Sequence, residues 1–307
     1  MIKLIAIYFV LIFSQVAVIG QEKTSSSGNF DVYQNFETNL ISPRTVRVWK
    51  PKDYSPKKKY AVLYMHDAQN IFGFLDTWNG QNWNVDGIIS QLLDQGRIQD
   101  CIVVGIDNGG IYRRTDYMPQ KVFDKIPKDY QEYIYAIKEE NAESKFNGDV
   151  RSDNYLKFLV SELKPFIDKN YATYTDRENT FIAGSSFGGL ISIYAICEYP
   201  ETFGGAACLS THWTVTYDLE DNPVPVLFAD YLKENLPDPQ MHKIYFDFGT
   251  ETLDSLYEPC QMEIDKVMEQ KGYTSDNWLT KKFPGDKHDE NSWNKRFYIP
   301  LEFLMAE

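Results

Sequence analysis

The segment Gly184-Ser185-Ser186-Phe187-Gly188 sets a serine between two glycines, each two positions away, where its hydroxyl could act as a nucleophile. A serine offered from the top of a sheet must sit on a sharp, strained turn, and only small neighbours let the strand and helix beside it approach closely. Gly184 and Gly188 meet that demand. A serine hydroxyl is a poor nucleophile at neutral pH. The chemistry therefore also needs a base to take its proton, a carboxylate to orient that base, and N–H donors for the oxyanion that forms when the serine adds to a carbonyl.

The chain has four histidines, His66, His212, His242 and His288. Where the serine lies on such a turn, the base comes last in the chain, after the final strand. His288 fits, since it follows Phe283-Pro284-Gly285-Asp286-Lys287 and the run 279–283. His66 and His212 stand at strand ends where they could border a pocket, whereas His242 precedes its strand and belongs at the opposite end of the sheet. The acid should follow the preceding strand, whose exit reads Gly249-Thr250-Glu251-Thr252-Leu253-Asp254-Ser255. Glu251 and Asp254 both qualify by position. For the oxyanion, the N–H of Phe187 supplies one donor, and the second comes from His66-Asp67-Ala68-Gln69-Asn70, with Gln69 favoured and Ala68 the alternative. His66 beside Asp67 suggests a metal pair, but no second histidine stands at ligand spacing and no Cys-x-x-Cys occurs. Acyl transfer by these groups needs no metal and no organic cofactor.

Elements with the right spacing surround these residues. Short apolar or alternating runs at 45–49, 60–65, 101–106, 180–183, 206–209, 244–248 and 279–283 predict strands. Helical spacing appears at 85–95, 155–167, from Leu190 to near Pro200, and more weakly at 258–271. Their alternation predicts an α/β fold with a mostly parallel sheet covered on both faces. Between Gly109 and Arg151 the strand pattern lapses into a polar, Tyr-rich stretch, expected to form a cap over the rim of the site. Trp213, His212, Tyr117 and Arg113, with Tyr112 and Arg114, are the expected substrate contacts there. Their rings suit stacking and their guanidinium groups suit carboxylates.

The wider chain narrows the classes. Residues 1–20 open with Lys3, continue in an apolar run from Leu4 to Phe13 and end in small residues, the pattern of a secretory signal peptide. The run is too short to span a bilayer, so no membrane anchor is expected after cleavage, and the destination is secreted or periplasmic. Residues 21–35 are polar and Ser-rich and are expected to form a flexible leader, with one domain over 36–307. A net charge of −13 argues against nucleic acid as a partner. Of the four cysteines, Cys101, Cys197 and Cys208 fall in segments that look buried, so the thiols are expected as small core residues rather than a disulfide framework.

Together, Tyr64-Met65-His66-Asp67-Ala68-Gln69-Asn70-Ile71-Phe72, Val104-Gly105-Ile106-Asp107-Asn108-Gly109, Gly184 to Gly189, Phe246 to Asp254 and His288 to Trp293 resemble the putative esterase family of α/β-hydrolases. Enterochelin-esterase-like proteins, feruloyl and acetylxylan esterases, S-formylglutathione hydrolase and mycolyltransferases belong to that family. The resemblance covers nearly all of the chain after residue 20. It implies an α/β-hydrolase fold with a short cap insertion, Ser186 as nucleophile, His288 as base, and an acid at the Gly-Thr-x-x-Leu-Asp end, which favours Asp254 over Glu251. One departure is Ala68, where relatives often have glycine; a methyl group is tolerated there unless the backbone needs a positive φ. The activity implied is that of a secreted serine carboxylic-ester hydrolase working through an acyl-enzyme. Its substrates would be small-molecule or glycan esters: acylated carbohydrate, feruloyl or acetyl, or siderophore-type. The alternatives are an acyltransferase with the same residues, or a binding protein that keeps the fold without the activity.

Overall fold

The computed structural model describes residues 21–24, 27–73, 77, 79–138 and 146–306. The signal peptide expected over residues 1–20 lies outside the described residues. Among the described residues nine strands form one sheet: β1 (Gln21–Thr24), β2 (Gly28–Phe36), β3 (Arg44–Pro51), β4 (Ala61–His66), β5 (Cys101–Ile106), β6 (Thr180–Ser185), β7 (Gly205–Leu209), β8 (Lys243–Gly249) and β9 (Trp278–Phe283). Their order is β1-β2-β3-β5-β4-β6-β7-β8-β9. The first three pair antiparallel with one another and onto β5, and from β5 to β9 every pairing is parallel. β4 and β5 are apolar along almost their whole length because interior parallel strands are covered on both faces.

Eleven helices are described: α1 (Val85–Asp94), α2 (Arg113–Tyr117), α3 (Gln120–Phe123), α4 (Lys128–Ala136), α5 (Ser152–Phe158), α6 (Lys164–Asn170), α7 (Phe187–Glu198), α8 (Val224–Asn235), α9 (Tyr257–Gln270), α10 (Glu290–Arg296) and α11 (Tyr298–Met305). α5 and α6 join through a π-helical stretch at Leu159–Leu163. Successive strand residues point to opposite faces, so Ala61, Leu63 and Met65 of β4 pack with α1, α10 and α11, while Val62 and Tyr64 pack with the larger layer that contains α5 to α9. The stretch expected as a cap supplies α2 to α4. Met118, Val122, Phe123 and Ile134 bury it in that larger layer, and among its described residues only the first turns reach the site. All four cysteines are free thiols, three of them buried. Among the described residues no helix is long and apolar enough to cross a membrane.

One expectation needs correction. Residues 28–35, expected within a flexible leader, belong instead to the strand Gly28–Phe36, in register with β3 and pairing Phe30 with Trp49. Phe30 and Val32 enter one core and Tyr33 and Phe36 the other, while the intervening Asp31 is neutralised by Lys50 at 2.7 Å. Asn29, Gln34 and Asn35 share this strand with the apolar residues. Phe30 is fully buried against Phe72, with ring centroids 4.9 Å apart. Phe30→Ala is therefore expected to destabilise the fold by about 3–5 kcal/mol, measured by denaturant unfolding. A loss below about 0.5 kcal/mol, the scale of surface changes, would return this segment to the status of a leader.

Candidate active site

β6 delivers Ser186 onto a turn where its backbone takes φ 58 and ψ −121, a conformation unfavourable for a residue with a side chain. Close packing around the turn holds it there. A Cβ on Gly184 would lie 2.8 Å from the Gly188 backbone, and one on Gly189 would lie 2.7 Å from Thr211 Oγ1, so strand, helix and the loop after β7 touch only because these residues are glycine. Ser186 N–H donates to Leu209 O at 3.0 Å, and Ser186 O accepts from His212 N at 3.3 Å. Ser186 lines a cavity of about 510 Å³, which His288 also lines.

His288 Nδ1 meets Asp254 Oδ1 at 2.6 Å, and the ring stands edge-on to Trp293 at 5.1 Å. This contact requires the carboxylate to be fixed in turn. Asp254 Oδ2 accepts from Ser210 Oγ at 2.6 Å and from Gly249 N at 2.5 Å. Ser210 Oγ itself accepts from Trp293 Nε1 and from Arg296 Nη2, each at 2.9 Å, so its single donor and both acceptor sites are used. Arg296 is buried and grips Asp247 through two nitrogens at 2.9 and 3.2 Å, with Asp286 at 2.9 Å. Burial pushes the Asp254 carboxyl up, but the hydrogen bond and charge of His288, with Ser210 and the Gly249 N–H, outweigh it and hold the group below the usual carboxylate range. Glu251, the positional rival, is exposed.

The loop after β4 forms the opposite wall. Asp67 is left-handed (φ 57), and Ala68–Asn70 is a single 3₁₀ turn whose leading N–H groups have no intrahelical acceptor by position. The positive φ falls on Asp67, so the methyl group of Ala68 is compatible with the loop, and it packs over Gly105. Ala68 is fully buried, whereas Gln69 lines the cavity with Phe187. His66 is 1% exposed, with Nδ1 at 2.7 Å from Tyr155 OH and Nε2 without a partner. Burial, partly offset by Asp67, lowers its pKa to about 3, so the ring is neutral. Among the described residues no group of three or more His, Cys, Asp or Glu side chains is placed to hold a metal ion.

The expected rim residues divide. His212 lines the cavity, its Nδ1 at 2.9 Å from Tyr257 OH, and Arg113 lines it while its guanidinium binds Asp67. Trp213 and Tyr117 are not at the rim. Trp213 is 1% exposed, donates to Gln261 Oε1 at 2.9 Å and packs on Phe228 and Phe246, because the chain turns after His212 and sends the next side chain into the α8–α9 layer. Tyr117 is fully buried between His66 and Tyr155, because the last turn of α2 packs inward while its first turn faces the cavity. Sequence reasoning passed over Trp83, Tyr217 and Glu290, which line the cavity, and Ser210 and Arg296, which support Asp254. The spacing of Trp293 and Arg296 on one helix face just after His288 was the available signal; for Tyr217 and Trp83, both in loops, there was none.

This sheet order, with a serine turn between a parallel strand and a helix, defines an α/β-hydrolase. The solved ferulic acid esterase of Anaeromyces mucronatus has the same fold, with a TM-score of 0.61 at 19% identity over 92% of this chain and 90% of that one. The family model described as "Putative esterase" matches residues 38–303, and the chain belongs to that family of carboxylic-ester hydrolases. The chain is 25% identical over 170 residues to the uncharacterized protein YjcH of Bacillus subtilis, covering 55% of this chain and 56% of YjcH. It is 26% identical over 211 residues to an endo-1,4-beta-xylanase/feruloyl esterase of Xylanibacter ruminicola, covering 65% of this chain and 24% of that longer protein. The chain thus spans about half or less of the length of these two relatives.

Two outcomes follow from the geometry. Ser210→Ala strands the Trp293 and Arg296 donors in the interior, and should cost about 1–3 kcal/mol of stability for each unsatisfied group, read by urea unfolding. For His66, both folded and unfolded states keep the ring neutral above about pH 6.5. As pH falls from there toward about 3, the unfolded chain takes up a proton that the folded chain refuses, so stability declines across that window. The decline in Tm between these limits should be steeper in the wild type than in His66→Asn; parallel curves would contradict the assignment.

Proposed function

We propose that the protein is an exported serine esterase in which Ser186, His288 and Asp254 form a catalytic triad. The observation that carries this reading is the 2.6 Å contact of His288 Nδ1 with a buried, fully hydrogen-bonded Asp254, at a cavity that a strained serine turn also enters. With Nδ1 occupied, Nε2 is the nitrogen left for the serine. Ser186 Oγ adds to the ester carbonyl as its proton passes to His288 Nε2. The N–H groups of Phe187 and Gln69 hold the oxyanion, and His288 then protonates the departing alcohol oxygen as the C–O bond breaks. Water, deprotonated by His288, attacks the acyl-enzyme in the same way and releases the acid. No step requires a metal or an organic cofactor.

For substrate, the reading is an aromatic or acetyl ester of a carbohydrate. A cavity of about 510 Å³ suits a ligand of this size, and Trp83, Trp293, His212 and Tyr217 give it aromatic walls. The feruloyl-esterase names of the xylanase relative and of the solved structure point the same way. Export rests on the apolar run within residues 1–20.

The purified protein without residues 1–20 should hydrolyse p-nitrophenyl acetate and methyl ferulate, and methyl ferulate faster than a cyclic catecholate ester. Ser186→Ala should lower kcat by about 10⁴-fold or more, and Asp254→Asn by about 10⁴-fold. Unchanged turnover in Ser186→Ala would overturn the mechanism, and preference for the catecholate ester would overturn the substrate class.

A further inference from the structure

We propose that Arg113 is a positioning residue: through its two-pronged ion pair with Asp67 it fixes the turn that presents the Gln69 N–H to the oxyanion, rather than meeting the substrate itself. This rests on the triad reading above. Asp67 is the residue just before the 3₁₀ turn that carries Gln69, and it takes a left-handed backbone (φ 57, ψ 43) that a side-chain-bearing residue adopts only at a cost. Something must hold it there, and its side chain forms no capping bond to the turn it precedes. The restraint comes from the loop after β5 and the start of α2. Arg113 Nε donates to Asp67 Oδ1 at 2.6 Å and Arg113 Nη2 to Oδ2 at 2.8 Å, while Asn108 Nδ2 donates to Oδ1 at 2.6 Å. Asn108 also donates its backbone N–H to Gln69 Oε1 at 3.2 Å, so the two loops are joined on both sides of the donor.

The same carboxylate borders the second donor. A Cβ on Gly188 would lie 3.4 Å from Asp67 Oδ2, which sets the ion pair beside the turn that carries the Phe187 N–H. One charged pair thus lies against both parts of the oxyanion site. The planar guanidinium matches the two carboxylate oxygens in a single orientation, and a lysine ammonium would not. Because its fork is engaged by Asp67, Arg113 presents a neutralised pair to the cavity instead of an isolated cation. Burial raises the Asp67 carboxyl, but Arg113 and Asn108 outweigh it and keep the group ionised.

The test is a double-mutant cycle on a neutral ester, p-nitrophenyl acetate, with Arg113→Met, Asp67→Asn and the pair. Each single variant is expected to lose about 10²- to 10³-fold in kcat, the scale of losing one oxyanion donor, with KM within about threefold of wild type. Because Arg113 acts only through Asp67, the double variant should be no worse than the worse single. Affinity for a boronic acid, which forms a tetrahedral adduct, should fall in step with kcat, whereas a structural role alone would leave it unchanged. If Arg113→Met does not fold, Arg113→Lys serves, keeping the charge but not the fork, with an expected kcat loss of about tenfold or more at unchanged KM. Wild-type kcat in the variants, a loss confined to KM, or additive losses in the pair would each overturn the inference. Ser186→Ala run beside them separates the two readings. Full turnover there removes the triad itself, while a dead Ser186→Ala with an unimpaired Arg113 variant removes only the role of Arg113.

Discussion

The backbone of Ser186 is the constraint on which the rest of the site depends. A residue with a side chain at φ 58 and ψ −121 persists only where its surroundings leave no alternative. Here β6, the first turn of α7 and the loop after β7 press together through Gly184, Gly188 and Gly189, and the Ser186 amide and carbonyl are tied to Leu209 and His212. The energy that offsets the strain is spread through the sheet and through α7, whose residues are almost all buried. The strained turn is therefore a product of the core as a whole, and a loop alone could not maintain it.

From that turn the site extends along two polar networks, one built around the buried carboxylate of Asp254 and the other around the half-buried carboxylate of Asp67. On one side Asp254 holds His288 and is held by Ser210, which has no hydrogen-bonding capacity left after Trp293 and Arg296. On the other, Asp67 stands just before the turn that carries Gln69 and is held by Arg113 and Asn108. Both carboxyls are kept in the ionised form by partners that outweigh their burial. The physical logic is shared: a buried charge stays where it is only if every partner is in place, and this makes it a rigid support for a neighbouring group. His66, buried and neutral between these networks and the core, adds no competing charge.

Much of this was legible in the chain. Strands 101–106 and 206–209 and the helix after Ser186 announced themselves by apolar runs of the right length, because both faces of an interior parallel strand are covered. β2 was not legible, since Asp31, Gln34 and Asn35 interrupt its apolar residues and a Ser-rich stretch precedes it; only the pairing with β3 and the Lys50 contact account for its place in the sheet. Position alone left Asp254 level with Glu251. Burial and the contact with His288 separate them, and both depend on a loop fold that spacing does not encode. Trp213 and Tyr117 were misplaced for a similar reason: the chain's approach to the rim was evident, but the direction of each side chain is set by tertiary packing on α8, α9 and α5. Ser210 carries no motif, and its importance exists only in three dimensions.

The proposed mechanism acylates Ser186 covalently during turnover. Rapid quench of the wild-type protein with p-nitrophenyl acetate, followed by peptide mass spectrometry, measures this directly. The mechanism requires a transient acetyl group on Ser186, formed in a burst of nitrophenol before the steady state. Turnover without any acyl adduct, or an acetyl group mapped to another residue on the reaction path, would contradict it.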